Sequence, residues 1–586
     1  MKTNTLIRRI GLLAVVSAFS INLPAQNPTS FKRLGSQDNN VQDLFPGSHN
    51  ARPVMADISN NGHMDLFYGG QDVGGAAGNF YDEYINTDNR WGDQAYGSFV
   101  NPILNADYSD PDVIRVGEKY YMICSDFHFI GIPVLESDDM VNWTIISQVY
   151  DRFDFPEWDK NERYGGGSWA PALRYHDGKF WVFFCTPNEG LFMSNATAPE
   201  GPWSPLLNVK HVGGWEDPCP FWDEDGQAYI GRSQLGAGPI ILHKMSPDGT
   251  RLLDDGVTVY EGPVAEGTKI HKRDGYYYMS IPEGGVSTGW QTILRSKNIY
   301  GPYERKIVLE QGTTGVNGPH QGSLVDTPDG QWWFYHFQSK EPLGRIVHLQ
   351  PVEWKDGWPF IGVDVDGNGV GEPVKEWTKP ATGKNPSVTA PQSSDEFSSA
   401  QRGLQWQFNH NPANDNWSLA ERPGYLRLKA LKAENLRKSR NMFTQKIMGY
   451  EAEATTEIDS RGMTEGQRAG LFCLGNNYNA IGIVCEGGKN YIYFESNGSF
   501  ERITEVMATT IYLRASINNN TNKHQLYYSV DNEDFVPCGE PYGLHSNDWK
   551  GTRVGLFSYN TNADGGEADF NWFRYKFDGP GLFTTK

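Results

Sequence analysis

Three carboxylates stand at matching places along the chain, each shortly before a strand-like run that leads to a Gly-containing turn: Asp110, Asp217 and Glu266. Two carboxyl groups that face one sugar ring suffice for glycosidic cleavage, because one protonates the departing oxygen while the other activates water or attacks the anomeric carbon. A third carboxylate beside the acid raises the pKa of that acid by like-charge repulsion. The three residues therefore predict a glycoside-cleaving site, if the fold brings them together.

Trp169 and His320 occupy the same position in two further copies of the pattern. An indole ring offers an apolar wall for a sugar face, and an imidazole can bind a hydroxyl group or a metal. The five anchor residues are separated by 59, 48, 49 and 54 residues. Taken singly, an Asp at the start of a strand often caps a turn. Recurrence at equivalent places favours a shared site instead.

The elements that must position these anchors are hairpins. After Glu266, for example, the chain passes through Asp274-Gly275 into the aromatic run Tyr276-Tyr277-Tyr278. Repeats of about 50 residues that contain such hairpin signals are typical of four-stranded propeller blades. Five anchors predict a five-bladed β-propeller over residues 98–378. The innermost strands of a propeller converge, so we expect the anchors to face one pocket.

The character of the sequence changes after the repeats. Residues 379–392 are rich in Pro, Thr, Ser and Ala, as domain linkers are. Residues 393–577 contain short alternating segments, such as Tyr425-Leu426-Arg427-Leu428, without helical periodicity. This pattern predicts a jelly-roll β-sandwich, with residues 578–586 as a C-terminal tail. The expected fold class is all-β: a five-bladed β-propeller followed by a jelly-roll β-sandwich.

The composition and the N-terminus narrow the class of protein. The 586 residues carry a formal net charge of −20, which disfavours nucleic acid as a partner. Residues 1–25 are typical of a cleaved signal peptide: basic Lys2, Arg8 and Arg9 precede a short apolar stretch. No later segment is apolar for the length of a membrane span. The sequence therefore predicts a periplasmic or secreted protein without a membrane span.

The N-terminal extension, residues 26–97, contains one loop with oxygen-bearing residues at nearly alternate positions. Asp57, Ser59, Asn61 and Asp65 surround Gly62, which suits Ca²⁺; an Asn- and Asp-rich turn is the alternative interpretation. Six Cys are scattered through the chain without metal-ligand spacing. Buried free thiols are the favoured interpretation, and a Cys473–Cys485 disulfide stays open.

Longer motifs around the anchors resemble glycoside hydrolase family 43, and residues 393–577 resemble the concanavalin A-like domain that follows the propeller in its β-xylosidase-like members. The propeller motifs are Tyr108-Ser109-Asp110-Pro111-Asp112, Trp169-Ala170-Pro171, Asp217-Pro218, Glu266-Gly267 and Leu343-Gly344-Arg345. The resemblance implies an inverting, exo-acting glycoside hydrolase that needs no cofactor for its chemistry.

The resemblance also implies a role for each matched position. Asp110 corresponds to the general base, Glu266 to the general acid, and Asp217 to the residue that modulates the pKa of the acid. The resemblance further implies two aromatic walls, a sugar-contacting arginine, and a central histidine that holds Ca²⁺ through water in many members. These positions are Phe127, Trp169, Arg345 and His320.

The expected substrate is an arabinose- or xylose-containing oligosaccharide or polysaccharide of the plant cell wall. The segment after Phe127 reads His128-Phe129-Ile130-Gly131 and departs from the xylosidase-like pattern. We therefore expect an exo-α-L-arabinofuranosidase first, with exo-β-D-xylosidase as the alternative. A catalytically inactive propeller that only binds carbohydrate is a third interpretation, disfavoured because both acid and base are present. Inversion predicts about 6.5–9.5 Å between the carboxyl groups of Asp110 and Glu266.

Overall fold

Segments rich in β-branched and aromatic residues alternate with Gly-, Asp- and Asn-containing turns, and they form strands in the computed structural model. The structure describes residues 54–56, 65–67, 89–95, 97–160, 163–546 and 549–580. Met1–Arg90 and Trp91–Lys586 are separate units. The described part of the first unit is an antiparallel pair, β1 (Val54–Ala56) and β2 (Asp65–Phe67).

Two sequence predictions fall largely beyond the described residues. The signal peptide and the calcium-loop residues Asp57, Ser59 and Asn61 are outside them, and of Asp65 only its place in β2 is described. Both stay predictions. Within the described residues, no helix has the length and apolar character needed to cross a membrane.

Five four-stranded antiparallel sheets follow the short strands β3 (Gly92–Asp93) and β4 (Ser98–Val100), with one short helix, α1 (Pro156–Lys160), after the first sheet. The sheets are β5 (Asp112–Val116), β6 (Lys119–Ile123), β7 (Pro133–Ser137), β8 (Thr144–Gln148); β9 (Trp169–His176), β10 (Lys179–Thr186), β11 (Gly190–Ala196), β12 (Leu207–Lys210); β13 (Trp215–Trp222), β14 (Ala228–Gln234), β15 (Ile240–Met245), β16 (Val257–Tyr260); β17 (Lys269–Arg273), β18 (Tyr276–Glu283), β19 (Trp290–Ser296), β20 (Glu304–Leu309); and β21 (Leu324–Asp326), β22 (Trp332–Lys340), β23 (Gly344–Lys355), β24 (Trp358–Ile361).

The five sheets form a ring. Strand β9 contacts β5 and β13, β17 contacts β13, β24 contacts β20, and β21 contacts β5. This is the predicted propeller, with one sheet for each sequence repeat. Strand β25 (Glu376–Thr378) pairs with β4, so the chain that enters the first blade is joined to the chain that leaves the fifth.

The C-terminal region is the predicted β-sandwich. It contains β26 (Gln407–Phe408), β27 (Trp417–Ser418), β28 (Leu426–Lys429), β29 (Leu431–Lys432), β30 (Phe443–Lys446), β31 (Glu451–Asp459), β32 (Gln467–Leu474), β33 (Tyr478–Glu486), β34 (Lys489–Ser496), β35 (Ser499–Val506), β36 (Thr510–Asn518), β37 (Lys523–Ser529), β38 (Val536–Gly543), β39 (Arg553–Asn560) and β40 (Glu567–Phe577), with 3-10 turns at Asn414–Asn416 and Leu436–Lys438. An eight-stranded sheet (β26, β29, β30, β39, β32–β35) faces a seven-stranded one (β27, β28, β40, β31, β36–β38). Alternate residues of β36 are buried between the sheets, as a sandwich requires.

The sandwich packs directly on the first blade. Side chains from both contribute to one hydrophobic core, and the backbone N–H of Ile130 donates to the carbonyl of Phe408. Residues 379–392 contain no helix or strand, yet the side-chain amide of Gln392 bonds both backbone groups of Ile145. The six cysteines are free, so the Cys473–Cys485 disulfide is not formed. The exact domain boundaries stay predictions.

Candidate active site

All five blades carry a left-handed backbone position at their anchor. Asp110 and Asp217 have φ values of 53° and 55°, and Ala170, Gly267 and Gln321, which follow the other three anchors, have φ values of 34°, 58° and 58°. Such a conformation costs a non-Gly residue about 1–2 kcal/mol. It also interrupts the alternation of a strand and re-aims the adjacent side chain. The recurrence explains why chemically capable residues appear at one place in every repeat.

Asp110 is buried and held by two donors. The hydroxyl of Ser125 donates to its Oδ2 at 2.5 Å, and the guanidinium of Arg345 donates to its Oδ1. The same hydroxyl accepts the backbone N–H of Ala170 at 2.6 Å. Ser125 therefore links the anchor of the first blade to that of the second and fixes where the Asp110 carboxylate lies.

Asp217 and Glu266 lie together, as the sequence predicted, and they have an additional neighbour. Carboxylate oxygens of Glu216, Asp217 and Glu266 lie within 4.8 Å of one another; we call these three residues the acidic cluster. The Oδ2 of Asp217 accepts the backbone N–H of Gly267 at 2.7 Å. That bond ties the third blade to the fourth beside Glu266.

Burial and mutual repulsion keep protons on the acidic cluster. Burial, and then the charge of Asp217, raises the pKa of Glu266 to about 8 and that of Glu216 to about 8. Burial, and then the charge of Asp110, raises the pKa of Asp217 to about 6. Glu266 therefore carries a proton at neutral pH, which is the state that a general acid needs.

Phe127 and Trp169, the two predicted aromatic walls, are neighbours. Their ring centroids are 5.7 Å apart with an interplanar angle of 59°. Trp169 is oriented by a hydrogen bond from its Nε1 to the carbonyl of Gly165 at 2.7 Å. Behind Phe127, a Cβ at Gly167 would lie 1.8 Å from the Phe127 carbonyl oxygen, so only glycine fits there. The walls are thus fixed by the backbone beneath them.

Arg345 connects the pocket to the sandwich. Its guanidinium carbon lies 4.6 Å from the ring centroid of Phe337 and 5.7 Å from that of Trp549. Trp549 belongs to the sandwich, and 57% of its surface is exposed. The sandwich therefore contributes a side chain beside the pocket, which the sequence did not indicate.

A second group of buried charges lies under the Phe127 wall. The ammonium of Lys550 contacts Asp107 at 2.8 Å, while Asp126 contacts Lys446 at 2.7 Å and Arg553 at 3.1 Å. These five residues form what we call the interface cluster; the two Asp come from the propeller and the three cations from the sandwich. Because Asp126 directly precedes Phe127, the sandwich helps to position this wall.

His320 is buried, and its Nδ1 lies 2.6 Å from the carbonyl oxygen of Gly318. Burial lowers the pKa of His320 to about 4, so the imidazole is neutral. Its Nε2 has no hydrogen-bond partner among the described residues. Among all the residues that the structure describes, the acidic cluster is the one group of three side chains that could ligate a metal. His320 does not belong to it. Direct Ca²⁺ ligation by side chains around His320 does not fit, and a water-mediated ion there stays a prediction.

Glu216, Ser125, Lys550 and Trp549 were not predicted from the sequence. Strand alternation places Glu216 on the opposite face from Asp217, and only the bulge at Asp217 brings both to one side. Lys550 bonds the carbonyl of Ser125 from 425 residues away, so no local pattern indicates it. Two adjacent carboxylates at the anchor of one repeat are the one sequence signal that could have identified Glu216.

Both parts of the chain match known family models. Residues 99–359 match glycosyl hydrolases family 43, and residues 394–576 match the β-xylosidase C-terminal concanavalin A-like domain. A putative β-xylosidase of Xylanibacter ruminicola is 55% identical over 477 residues, which are 81% of this chain and 89% of that protein. A β-xylosidase of Formosa agariphila is 40% identical over 549 residues, which are 84% of this chain and 92% of that one.

More distant similarities agree on the family. A non-reducing end α-L-arabinofuranosidase of Bacteroides ovatus is 29% identical over 536 residues, which are 82% of this chain and 95% of that protein. The crystal structure of a family 43 protein of Bacillus licheniformis is similar with a TM-score of 0.72 and 30% identity, covering 82% of this chain and 99% of that one. Fold, site and relatives coincide: this chain belongs to glycosyl hydrolase family 43 and is an inverting glycoside hydrolase.

Proposed function

We propose that this enzyme is an exo-β-D-xylosidase, which releases D-xylose from the non-reducing ends of xylose-containing oligosaccharides or polysaccharides. The observation that carries the proposal is the similarity to two proteins named as β-xylosidases, at 55% and 40% identity over more than four fifths of the chain. The sequence alone favours α-L-arabinofuranosidase, with β-D-xylosidase as its alternative. These relatives favour its alternative.

In the proposed mechanism, Glu266 is the general acid. Its raised pKa, about 8, leaves a proton available at neutral pH, and this proton goes to the glycosidic oxygen as the bond to the anomeric carbon breaks. Asp217 is the modulator, because its charge is the largest contribution from a neighbouring group to that raised pKa. The hydrogen bond from the Gly267 N–H holds Asp217 in this position.

Asp110 is the proposed general base. It takes a proton from a water molecule whose oxygen attacks the anomeric carbon from the face opposite the leaving group, which inverts the configuration. Ser125 and Arg345 donate to the Asp110 carboxylate, so its position relative to that water is fixed. The chemistry of this family requires no cofactor.

Phe127 and Trp169 are proposed to pack against the sugar ring, and Arg345 to contact its hydroxyl groups. Trp549 supports exo-action, because a bulky side chain from a second domain stands beside Arg345. A long polysaccharide is less easily accommodated across such a mouth than a chain end. The N-terminal sequence supports export to the periplasm or medium, which N-terminal sequencing of the mature protein would test.

The second candidate is exo-α-L-arabinofuranosidase. The similarity to a relative of that name at 29% identity favours it, and the two sugars present similar hydroxyl patterns to one small pocket. A glycan-binding propeller without activity is disfavoured by the presence of Asp110 and Glu266 together.

A direct assay tests the proposal. Purified enzyme is given 4-nitrophenyl β-D-xyloside, 4-nitrophenyl α-L-arabinofuranoside and linear xylo-oligosaccharides, with Glu266→Gln and Asp110→Asn as controls. We expect kcat/KM for the xyloside to exceed that for the arabinofuranoside at least about tenfold, and xylose to be the first product from the oligosaccharides. A reversed preference would establish the second candidate, and early release of internal fragments would contradict exo-action.

A further inference from the structure

Glu216 is a buried carboxylate of the acidic cluster, and it has no role in the proposed mechanism. It lies on β13, directly before Asp217. The pairing of β13 with β14 joins Glu216 to Ser233 and then Cys219 to Gly231, so two residues of β13 stand opposite one of β14. This bulge, with the left-handed backbone at Asp217, turns the side chains of Glu216 and Asp217 toward Glu266.

The bonds of Glu216 are with neutral groups. Its Oε1 accepts the backbone N–H of Ala237 at 2.9 Å and is 3.5 Å from the Ser233 hydroxyl. These donors orient the carboxylate but bring no positive charge. Among the described residues, Glu216 has no ion pair with Lys, Arg or His, so no cation compensates the charge that it gains when it ionises beside Glu266.

The charged groups around this pair come from several elements. Asp217 comes from β13 and Asp110 from the first blade, and both favour the protonated form of Glu266. Arg345 on β23 opposes them but pairs with Asp110, and Lys269 on β17 pairs with Asp112. On β14, Arg232 donates to His243 and Gln234 instead of Glu216. The Cys185 thiol on β10 stays neutral because burial, then Asp217, raises its pKa.

We propose that Glu216 is a positioning residue that acts through Glu266: three carboxylates this close cannot all ionise, so Glu216 extends the protonated, active form of Glu266 to higher pH. This inference rests on the proposed role of Glu266 as the general acid. Glu216 supplements Asp217, which loses its proton at lower pH and therefore acts first as the pH rises.

The test is the pH dependence of kcat/KM for Glu216→Gln, measured with a xylo-oligosaccharide, whose leaving group needs a proton. The substitution keeps the shape and both acceptor contacts of Oε1 while removing the charge. We expect the basic limb to move to lower pH by on the order of one pH unit. Glu224→Gln is the matched control, because it removes one charge from the exposed hairpin of the same blade. Its limb should not move.

Separate values of kcat and KM distinguish a positioning role of Glu216 from direct binding of the sugar. If Glu216 only positions the proton, KM and the acid limb of the pH profile are the same in the wild type and in Glu216→Gln at pH values where Glu266 is fully protonated in both. A limb that stays in place in Glu216→Gln, or a large rise in KM at all pH values, would overturn the inference.

A second measurement does not depend on activity. Free energies of unfolding of Glu216→Gln, Glu266→Gln and the double variant are compared at about pH 5 and about pH 9. At the higher pH both carboxylates of the wild type are ionised and repel, so the two single substitutions together should stabilise more than the double one. At the lower pH the effects should add. Additive effects at both pH values would overturn the inference even if xyloside hydrolysis is confirmed, whereas coupling without hydrolysis would overturn only the proposed function.

Discussion

The acidic cluster and the interface cluster bury carboxylates to a similar extent within one molecule. Asp217 and Glu216 expose 6% and 5% of their surface, and Asp107 and Asp126 expose none. Burial alone would raise the pKa of all four. At the interface, however, Lys550, Lys446 and Arg553 outweigh burial and lower the pKa of both Asp. In the acidic cluster no cation makes such a contact among the described residues, and the pKa values rise.

The difference between the clusters shows that the supply of positive charge, more than burial, decides which carboxylates keep their protons. All three cations of the interface cluster belong to the sandwich. The propeller alone would hold Asp107 and Asp126 without the three cations that pair with them. The second domain thus keeps the carboxylates beneath Phe127 ionised and paired, while the acidic cluster has no cation in direct contact among the described residues and keeps a proton.

The largest expected effect is on kcat/KM when the proton-donating carboxyl group of Glu266 is removed. Glu266→Gln should lower kcat/KM for xylo-oligosaccharides about 10²–10⁴-fold, because the leaving oxygen then departs without a proton. Activated aryl xylosides should lose less, since their leaving groups need little protonation. Steady-state kinetics on both substrates measure the contrast. Equal losses on both would mean that Glu266 is not the acid.

The second-largest expected effect is a loss of stability when the interface cluster loses one of its cations. Lys550→Met leaves Asp107 and Asp126 with too little positive charge, and we expect the free energy of unfolding to fall by about 3–5 kcal/mol. Chemical denaturation measures this. Lys489→Met is the control, because its ion pair with Glu505 is solvent-exposed and its loss should change the free energy of unfolding very little. If the free energy of unfolding fell only slightly in both variants, the expected difference between buried and exposed ion pairs would be contradicted.

A smaller effect is expected from Asp217→Asn. The acid loses its strongest like-charge neighbour, so the pKa of Glu266 falls from about 8 toward its ordinary value and the basic limb of kcat/KM moves to lower pH. The shift should exceed that of Glu216→Gln, because Asp217 is ionised over a wider pH range. A pH–rate profile decides the order, and an unmoved limb would exclude the modulator role.

The smallest expected effect is on the pH dependence of stability, which should differ between the two clusters. Carboxylates with lowered folded-state pKa, such as Asp107, stabilise above their ordinary pKa near 3.8 and lose that contribution as the pH falls through the lower folded value. Glu216 and Glu266, with raised folded-state pKa, lose stability as the pH rises from 4.5 through about 8. We expect the melting temperature to fall toward both acidic and alkaline pH. Glu266→Gln should reduce the fall at alkaline pH and leave the fall at acidic pH unchanged. An unchanged alkaline side would contradict this assignment.

The anchors were predictable because their chemistry recurs with the blades. Asp110, Trp169, Asp217, Glu266 and His320 recur at similar spacing, and each lies at or next to a left-handed position that the sequence does not itself reveal. Glu216 could not be predicted from the sequence, because regular strand alternation places it on the other face. Lys550 and Trp549 could not be predicted, because their partners lie in another domain.

The expected order of the two substrates rests on the segment after Phe127, which departs from the xylosidase-like pattern. In the structure this segment packs on the sandwich. Arg553 lies over the Phe129 ring at 4.0 Å, and Ile130 bonds the backbone of Phe408. Its departure from the xylosidase-like pattern therefore reflects the domain interface, and it carries little information about the sugar.

The pairing of β4 with β25 has a consequence for biogenesis. Each blade is a continuous segment, so the ring closes only when the fifth blade meets the first, and residues 376–378 then pair with residues 98–100. Residues near 550 must then dock before Asp107 and Asp126 are neutralised. Contacts between such distant residues form slowly and late. We expect a growing chain to remain inactive until the residues near 550 have been synthesised and docked, so that the appearance of activity reports the assembly of both domains.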